Sequence, residues 1–179
     1  MKTLTTSILV AAIALSVTAQ AQHIDTRDIP VPKSVTVDKT LSPAKAKELK
    51  ETALYYYAFW NTGKMEYLDK AVAQNFVDNT LPNGRPQGPA GPLFASNNFR
   101  KAVPDLTCTV NDVLIVGEKV TVRMQFTGTF SGSFNEVKGN GEKVDFLAID
   151  VLHITNGKIV EDWHLEDNLT LMQQLGVAK

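Results

Sequence analysis

From Leu106 to Glu166 the apolar residues recur at every second position, in four β-branched runs: Leu106 to Val116, Lys119 to Phe130, Glu142 to Ile154 and Lys158 to Glu166. Gly-Glu, Gly-Asn-Gly and Asn-Gly stand between the runs, so they predict consecutive antiparallel strands joined by tight reversals. A sheet of that kind needs a second layer over its apolar face. The preceding half supplies it. Ser42-Pro43 reads as an N-cap followed by proline at the first helical position, and Ala46, Leu49, Ala53, Tyr56 and Trp60 then follow helical spacing up to Asn61-Thr62-Gly63. Shorter helices are predicted over Met65 to Val72 and Leu93 to Val103, the latter stopped by Pro104. A strand from Asn75 to Leu81 runs into the Pro82-Asn83-Gly84 turn, and Gly84 to Pro92 is a loop rich in glycine and proline. Asp167 to Leu175 is a closing helix with Gly176 as its cap. The order predicts an α+β domain: a curved, mostly antiparallel sheet wrapped around about three helices.

The domain is expected to span residues 42–179. Residues 22–41 carry Pro30 and Pro32 without helical period and are expected to form a surface linker. Before them, Lys2, the apolar run Ile8 to Val17 and Ala19-Gln20-Ala21 have the three parts of a secretory signal peptide in order. Residues 1–21 are therefore expected to be removed, giving a periplasmic or secreted protein that starts at Gln22.

With 18 basic and 19 acidic residues and no long block of one sign, neither nucleic acid nor a membrane is expected as partner. A hydrophobic small molecule is. At 44% apolar residues the chain has the material for a core, which excludes disorder. One cysteine, Cys108, and three histidines leave no zinc-type spacing, so no metal is expected.

Several segments stand in a recognisable order: FWNTGK (Phe59 to Lys64), NFVDN (Asn75 to Asn79), VPDL (Val103 to Leu106), EKVTVRM (Glu118 to Met124) with TGT, and IDVLHITNGKIVEDW (Ile149 to Trp163) followed by LMQQLG. In that order and spacing they resemble the SnoaL-like polyketide cyclases and ester cyclases, a branch of the nuclear transport factor 2-like superfamily. The resemblance runs from about Leu41 to Val177. It implies a cone-shaped α+β barrel with a deep apolar pocket, a homodimer and no cofactor. The superfamily also holds isomerases, dehydratases, hydrolases and silent binders, so the fold alone does not fix a function.

Which side chains meet depends on the last hairpin. A two-residue Asn156-Gly157 turn puts Asp150 on one face with Trp163; a three-residue Thr155-Asn156-Gly157 loop puts it on one face with Asp162 and His164. The second is preferred, because it gathers Leu147, Ile149, Val151, Trp163 and Leu165 into one apolar surface. Phe146, Ala148, Asp150 and Leu152 then face Val160, Asp162 and His164, with Asp150 opposite Asp162 and His164 one diagonal away. Asp150 and His164 are the candidate catalytic couple, and Asp162 a candidate substrate contact beside them. The resemblance implies histidine at the position of Asp150 and the catalytic aspartate at that of His164, so this chain carries the two types exchanged. It also implies a polar pocket position for Asp78 and an aromatic at the pocket mouth for Trp60. Arg123 alternates with Thr121, Gln125 and Thr127 and is expected to reach an anionic substrate group. His153 falls on the opposite face, and Tyr55, Tyr56 and Tyr57 read as core aromatics.

Two functions fit. One is a cofactor-free acid–base enzyme of cyclase, isomerase or lyase type acting on a hydrophobic carbonyl compound, where a base removes a proton beside the carbonyl and a donor neutralises its oxygen. The other is an exported binding protein that holds a hydrophobic molecule in the same pocket without chemistry, with Asp150 and His164 as a structural ion pair.

Overall fold

The computed structural model describes residues 24–178, so the signal peptide expected at 1–21 lies outside the described residues. After a 3-10 turn at Thr26–Asp28, β1 (Ser34–Val37) pairs in parallel with β3 (Thr107–Val116), Val35 beside Val113. The expected surface linker is thus an edge strand in part. Its four residues are all exposed, which leaves no alternation to read. The stretch before it is tied down by Tyr67, whose hydroxyl donates to Asp28 Oδ2 at 2.8 Å, and by Lys64, which pairs with the same carboxylate.

Helix α1 (Pro43–Thr62) starts where Ser42 Oγ accepts from the Lys45 amide and ends at Gly63, whose φ of 71° is costly for any other residue. Leu49, Ala53, Tyr57 and Phe59 on it are fully buried. Helix α2 (Met65–Ala71) passes directly into β2 (Val72–Asp78), three residues earlier than the sequence suggested, because Asp78 already takes part in a turn with Thr80. Helix α3 (Ala90–Ala102) begins ahead of Leu93. Its first turn accepts Pro92, which lacks only an amide that would be unpaired there.

The remaining strands are β4 (Lys119–Phe130), β5 (Ser133–Phe134), β6 (Val137–Lys138), β7 (Glu142–Thr155) and β8 (Lys158–Glu166), followed by α4 (Asn168–Gln174). The main sheet has six strands in the order β1-β3-β4-β7-β8-β2; its four central strands are antiparallel neighbours and the edges β1 and β2 are parallel to theirs. The architecture is the expected α+β one, a curved, mostly antiparallel sheet over the helices. Val120, Val122, Met124 and Phe126 of β4 and Phe146, Ala148 and Leu152 of β7 face inward and are buried.

The β7–β8 hairpin differs from expectation at its tip. Asn156 and Gly157 have φ of 51° and 67°, the pair of positive values that a two-residue type I′ turn requires, and Thr155 pairs with Lys158. The three-residue loop is absent. A register shift follows at once: Ile154 pairs with Ile159 but His153 with Glu161, so Val160 is an extra residue. This bulge reverses the parity set by the turn. Asp150, Asp162 and His164 therefore share the inner face after all, with Asp150 opposite His164 and Leu152 opposite Asp162. Ile159, not Val160, takes the buried position. Leu147, Ile149 and Leu165 lie exposed on the outer face.

Candidate active site

Strands β7 and β8 hold Asp150 and His164 side by side, and α1 completes the arrangement from the other side. Asp150 Oδ1 lies 2.5 Å from His164 Nδ1, and its Oδ2 accepts from the Tyr57 hydroxyl at 2.8 Å. Both carboxylate oxygens being acceptors, the network assigns a proton to Nδ1 and leaves Nε2 free for other work. Nε2 stands 3.3 Å from Glu166 Oε2. The His164 backbone amide donates to Thr80 Oγ1 at 2.9 Å, and that hydroxyl donates to Asp78 Oδ1 at 3.1 Å. The imidazole is thus held at Nδ1 by Asp150, which α1 steadies through Tyr57, and the His164 backbone is held by the Thr80 turn.

His164 borders a cavity of about 790 Å³. Trp60, Phe99, Phe126, Phe146 and Leu171 give it apolar walls, while Asp78, Arg85, Asp162 and Glu166 bring polar groups to it. Phe126 and Phe146 stack at 5.3 Å between centroids, and Trp60 meets Phe126 edge-on at 5.8 Å. A largely apolar space with a few converging polar groups is the usual form of a small-molecule site.

Of the expected residues, Asp78, Trp60, Asp162 and His164 are brought together on the cavity wall. Asp150 belongs to the same cluster but lies behind the imidazole and does not border the cavity. Its place follows from the pairing opposite His164, where both oxygens are used inside the wall. Arg123 corrects the expectation made for it. The inward run Val120, Val122, Met124 turns it to the outer face, where its Nε donates to Asp112 at 2.7 Å. His153 sits on the outer face as expected, 2.8 Å from Glu161.

Charge placement is uneven. Burial opposes the charged form of His164, but the carboxylates of Asp150 and Glu166 outweigh it and hold its pKa well above the ordinary histidine value. Burial, with the neighbouring charge of Asp150, pushes the Asp162 carboxyl well above the usual carboxylate range. Asp162 Oδ1 is buried without a hydrogen-bond partner. Burial and Asp150 likewise push the Tyr57 phenol far up, so it stays a donor.

Four contributors escaped the sequence. Tyr57 reads as core by its place on α1, although a buried phenol needs a partner and so signals one. Glu166 continues the period-two face of Asp162 and His164, and that alternation was a usable sign. Thr80 and Arg85 sit in a loop, where no period places side chains. Among the described residues no group of three or more His, Cys, Asp or Glu is arranged to hold a metal ion, and no helix is long and apolar enough to cross a membrane.

Residues 50–175 match the family model of the SnoaL-like polyketide cyclases. No curated protein matches the chain. Among solved structures, a candidate polyketide cyclase from Bacillus cereus ATCC 10987 is 52% identical and superposes with a TM-score of 0.78, over 86% of this chain and 97% of that one. IdmH, a candidate polyketide cyclase from Streptomyces antibioticus, is 29% identical with a TM-score of 0.65, over 72% and 99%. AclR, a candidate hydroxylase from Streptomyces galilaeus, is 25% identical with the same TM-score of 0.65, over 74% and 87%. With a match of that extent on an α+β barrel of the nuclear transport factor 2-like type, the chain belongs to the SnoaL-like polyketide cyclase family.

Proposed function

We propose that this protein is a cofactor-free acid–base enzyme of cyclase, isomerase or lyase type that acts on a hydrophobic carbonyl compound. The observation that carries the reading is the Tyr57–Asp150–His164 chain, which ends with an imidazole on the wall of a largely apolar cavity and has Asp162 next to it on β8.

With its pKa raised, His164 is an imidazolium at neutral pH and acts as the donor. Its long Nε2 contact to Glu166 is the one that a substrate carbonyl oxygen takes over. Asp162 is the base: a buried carboxylate with one oxygen left without a hydrogen-bond partner binds a proton avidly, and a raised pKa brings it nearer to the working pH. In the first step Asp162 takes a proton from the carbon beside the carbonyl. The C–H electron pair moves into the carbon skeleton, and the oxygen that becomes negative is held or protonated by His164. The enol so formed is the nucleophile for ring closure or the intermediate of a double-bond shift. Asp150 touches no substrate in this scheme; it positions the imidazole and sustains its charge.

The chain is also read as exported after removal of residues 1–21, supported by the order Lys2, Ile8 to Val17 and Ala19-Gln20-Ala21. Mass measurement on exported protein should find Gln22 at the N-terminus; an intact Met1 would refute export with cleavage.

Turnover of aryl ketones bearing an acidic C–H is the test of chemistry. His164→Gln and Asp162→Asn should each lower it by about 10²–10⁴-fold, the usual worth of a placed acid or base. Unchanged turnover in both, with a hydrophobic ligand retained through purification, would make the protein a binder.

A further inference from the structure

We propose that Arg85 is a carboxylate-recognition residue, so that hydrophobic oxo-carboxylic acids are preferred over neutral ketones and esters. This rests on the reading of the cavity as a site for carbonyl compounds and adds the second functional group.

Arg85 borders the cavity with its side chain about one-quarter exposed. Its charged neighbour is Asp78, but the gap between Nη1 and Asp78 Oδ2 is 3.8 Å, outside hydrogen-bond range. Asp78 is occupied elsewhere, its Oδ1 accepting from both the amide and the hydroxyl of Thr80. The guanidinium is thus balanced in charge but not saturated in hydrogen bonds. Its planar fork matches a carboxylate with two parallel N–H···O bonds, which a neutral ester cannot return with equal strength.

The loop that carries Arg85 is fixed. Gln87 clamps it to the end of β2: the Asp78 amide donates to Gln87 Oε1 at 2.7 Å, and Gln87 Nε2 donates to the Asp78 carbonyl at 3.0 Å. The Arg85 amide closes a turn onto the Pro82 carbonyl at 3.1 Å. At Gly91 a Cβ would lie 2.6 Å from the Pro86 carbonyl, so the loop is packed directly on the first turn of α3. An arginine held from its backbone loses less freedom on binding an anion than one on a free loop.

The wall also gathers these groups. Asp78 on β2 pairs in register with Asp162 on β8, and His164 follows two residues on along the same face. Arg85 beside Asp78, Asp78 across the strand pair from Asp162, and His164 two residues on from Asp162 all border the same cavity. A ligand whose carboxylate sits on Arg85 presents its ketone to Asp162 and His164, with its apolar body against Phe126 and Phe146.

The probe pair is 4-(2-naphthyl)-4-oxobutanoate and its methyl ester, titrated calorimetrically at low salt against the full chain, Arg85→Gln and Arg85→Lys. The acid should bind at least about tenfold more tightly than the ester, the order of one charge-assisted bidentate contact. Arg85→Gln should erase the preference while leaving ester affinity within about twofold, and Arg85→Lys should keep part of it. Equal binding of acid and ester, a preference that survives Arg85→Gln, or no binding of either probe would overturn the proposal. Deuterium exchange at the CH2 beside the ketone, followed by NMR on the same samples, reports on the acid–base reading separately. Exchange without acid preference sinks the role of Arg85 alone, and acid preference without exchange sinks only the chemistry.

Discussion

His164 and Asp150 stand 2.5 Å apart, yet only the imidazole borders the cavity. The carboxylate works from behind, and its influence reaches two groups at once: it raises the pKa of His164 and, through repulsion, that of Asp162.

The pH profile of turnover should therefore move as a whole when Asp150 is neutralised. Activity needs Asp162 ionised and His164 protonated, so the rising limb reports the first and the falling limb the second. Asp150→Asn removes an influence that raises both, and both limbs should shift to lower pH, with a fall in the plateau of about 10²-fold or more. A profile in which only one limb moves, measured as kcat/KM against pH, would contradict this coupling.

Asp162→Asn should melt at a higher temperature than the parent at pH 7, by roughly 2–4 °C for each kcal/mol recovered. The sign follows from its raised folded-state pKa. Below the ordinary carboxylate range, near ~3.9, both states hold the proton. As pH climbs above that, the unfolded chain ionises while the folded one resists, and stability is lost up to the folded pKa. The advantage of the variant should shrink as pH is lowered towards 4, which calorimetry across pH checks.

Gly132→Ala should destabilise by about 1–3 kcal/mol, as overpacking does. A Cβ there would lie 1.8 Å from the Lys101 carbonyl, where the loop after β4 is bonded to the end of α3 by Gly132 N to Ala102 O at 2.9 Å. A denaturant midpoint equal to the parent's would show that the loop yields freely.

The outer sheet face, with Leu147, Ile149 and Leu165 exposed, is proposed to pair with a second copy. Light scattering at micromolar concentration should give a dimer, and Ile149→Glu should give a folded monomer. A monomeric parent would refute it.

Much of this molecule could be read from its residues, and the exceptions have physical causes. Strands β4 and β8 span the expected residues, and their starts are fixed by the reversals just before them, at Gly117 and at Asn156-Gly157, whose φ values are above zero. Strand β1 could not be read, since four exposed residues at an edge show no period. The hairpin is more instructive. A two-residue turn with a bulge at Val160 and a three-residue loop both leave Asp150, Asp162 and His164 on one face, so the apolar pattern around Asp150 and His164 could not tell them apart. Pattern also says nothing of depth, which is why Asp150 was placed on the cavity wall and not behind it. For Arg123 the charge argues for a substrate contact and the period for the outer face, and the period decides.

The two parallel edge pairs bear on how the chain reaches this shape. Ser34 has its partner at Asp112 and Asp78 has its own at Asp162, so neither early strand can dock until a much later segment exists. Such distant pairings close slowly and leave strand edges open meanwhile. Strand β1 can therefore dock once β3 exists, whereas β2 must stay unpaired until β8 is complete. In a chain exported as proposed above, β2 would find its partner only after β8 too has crossed.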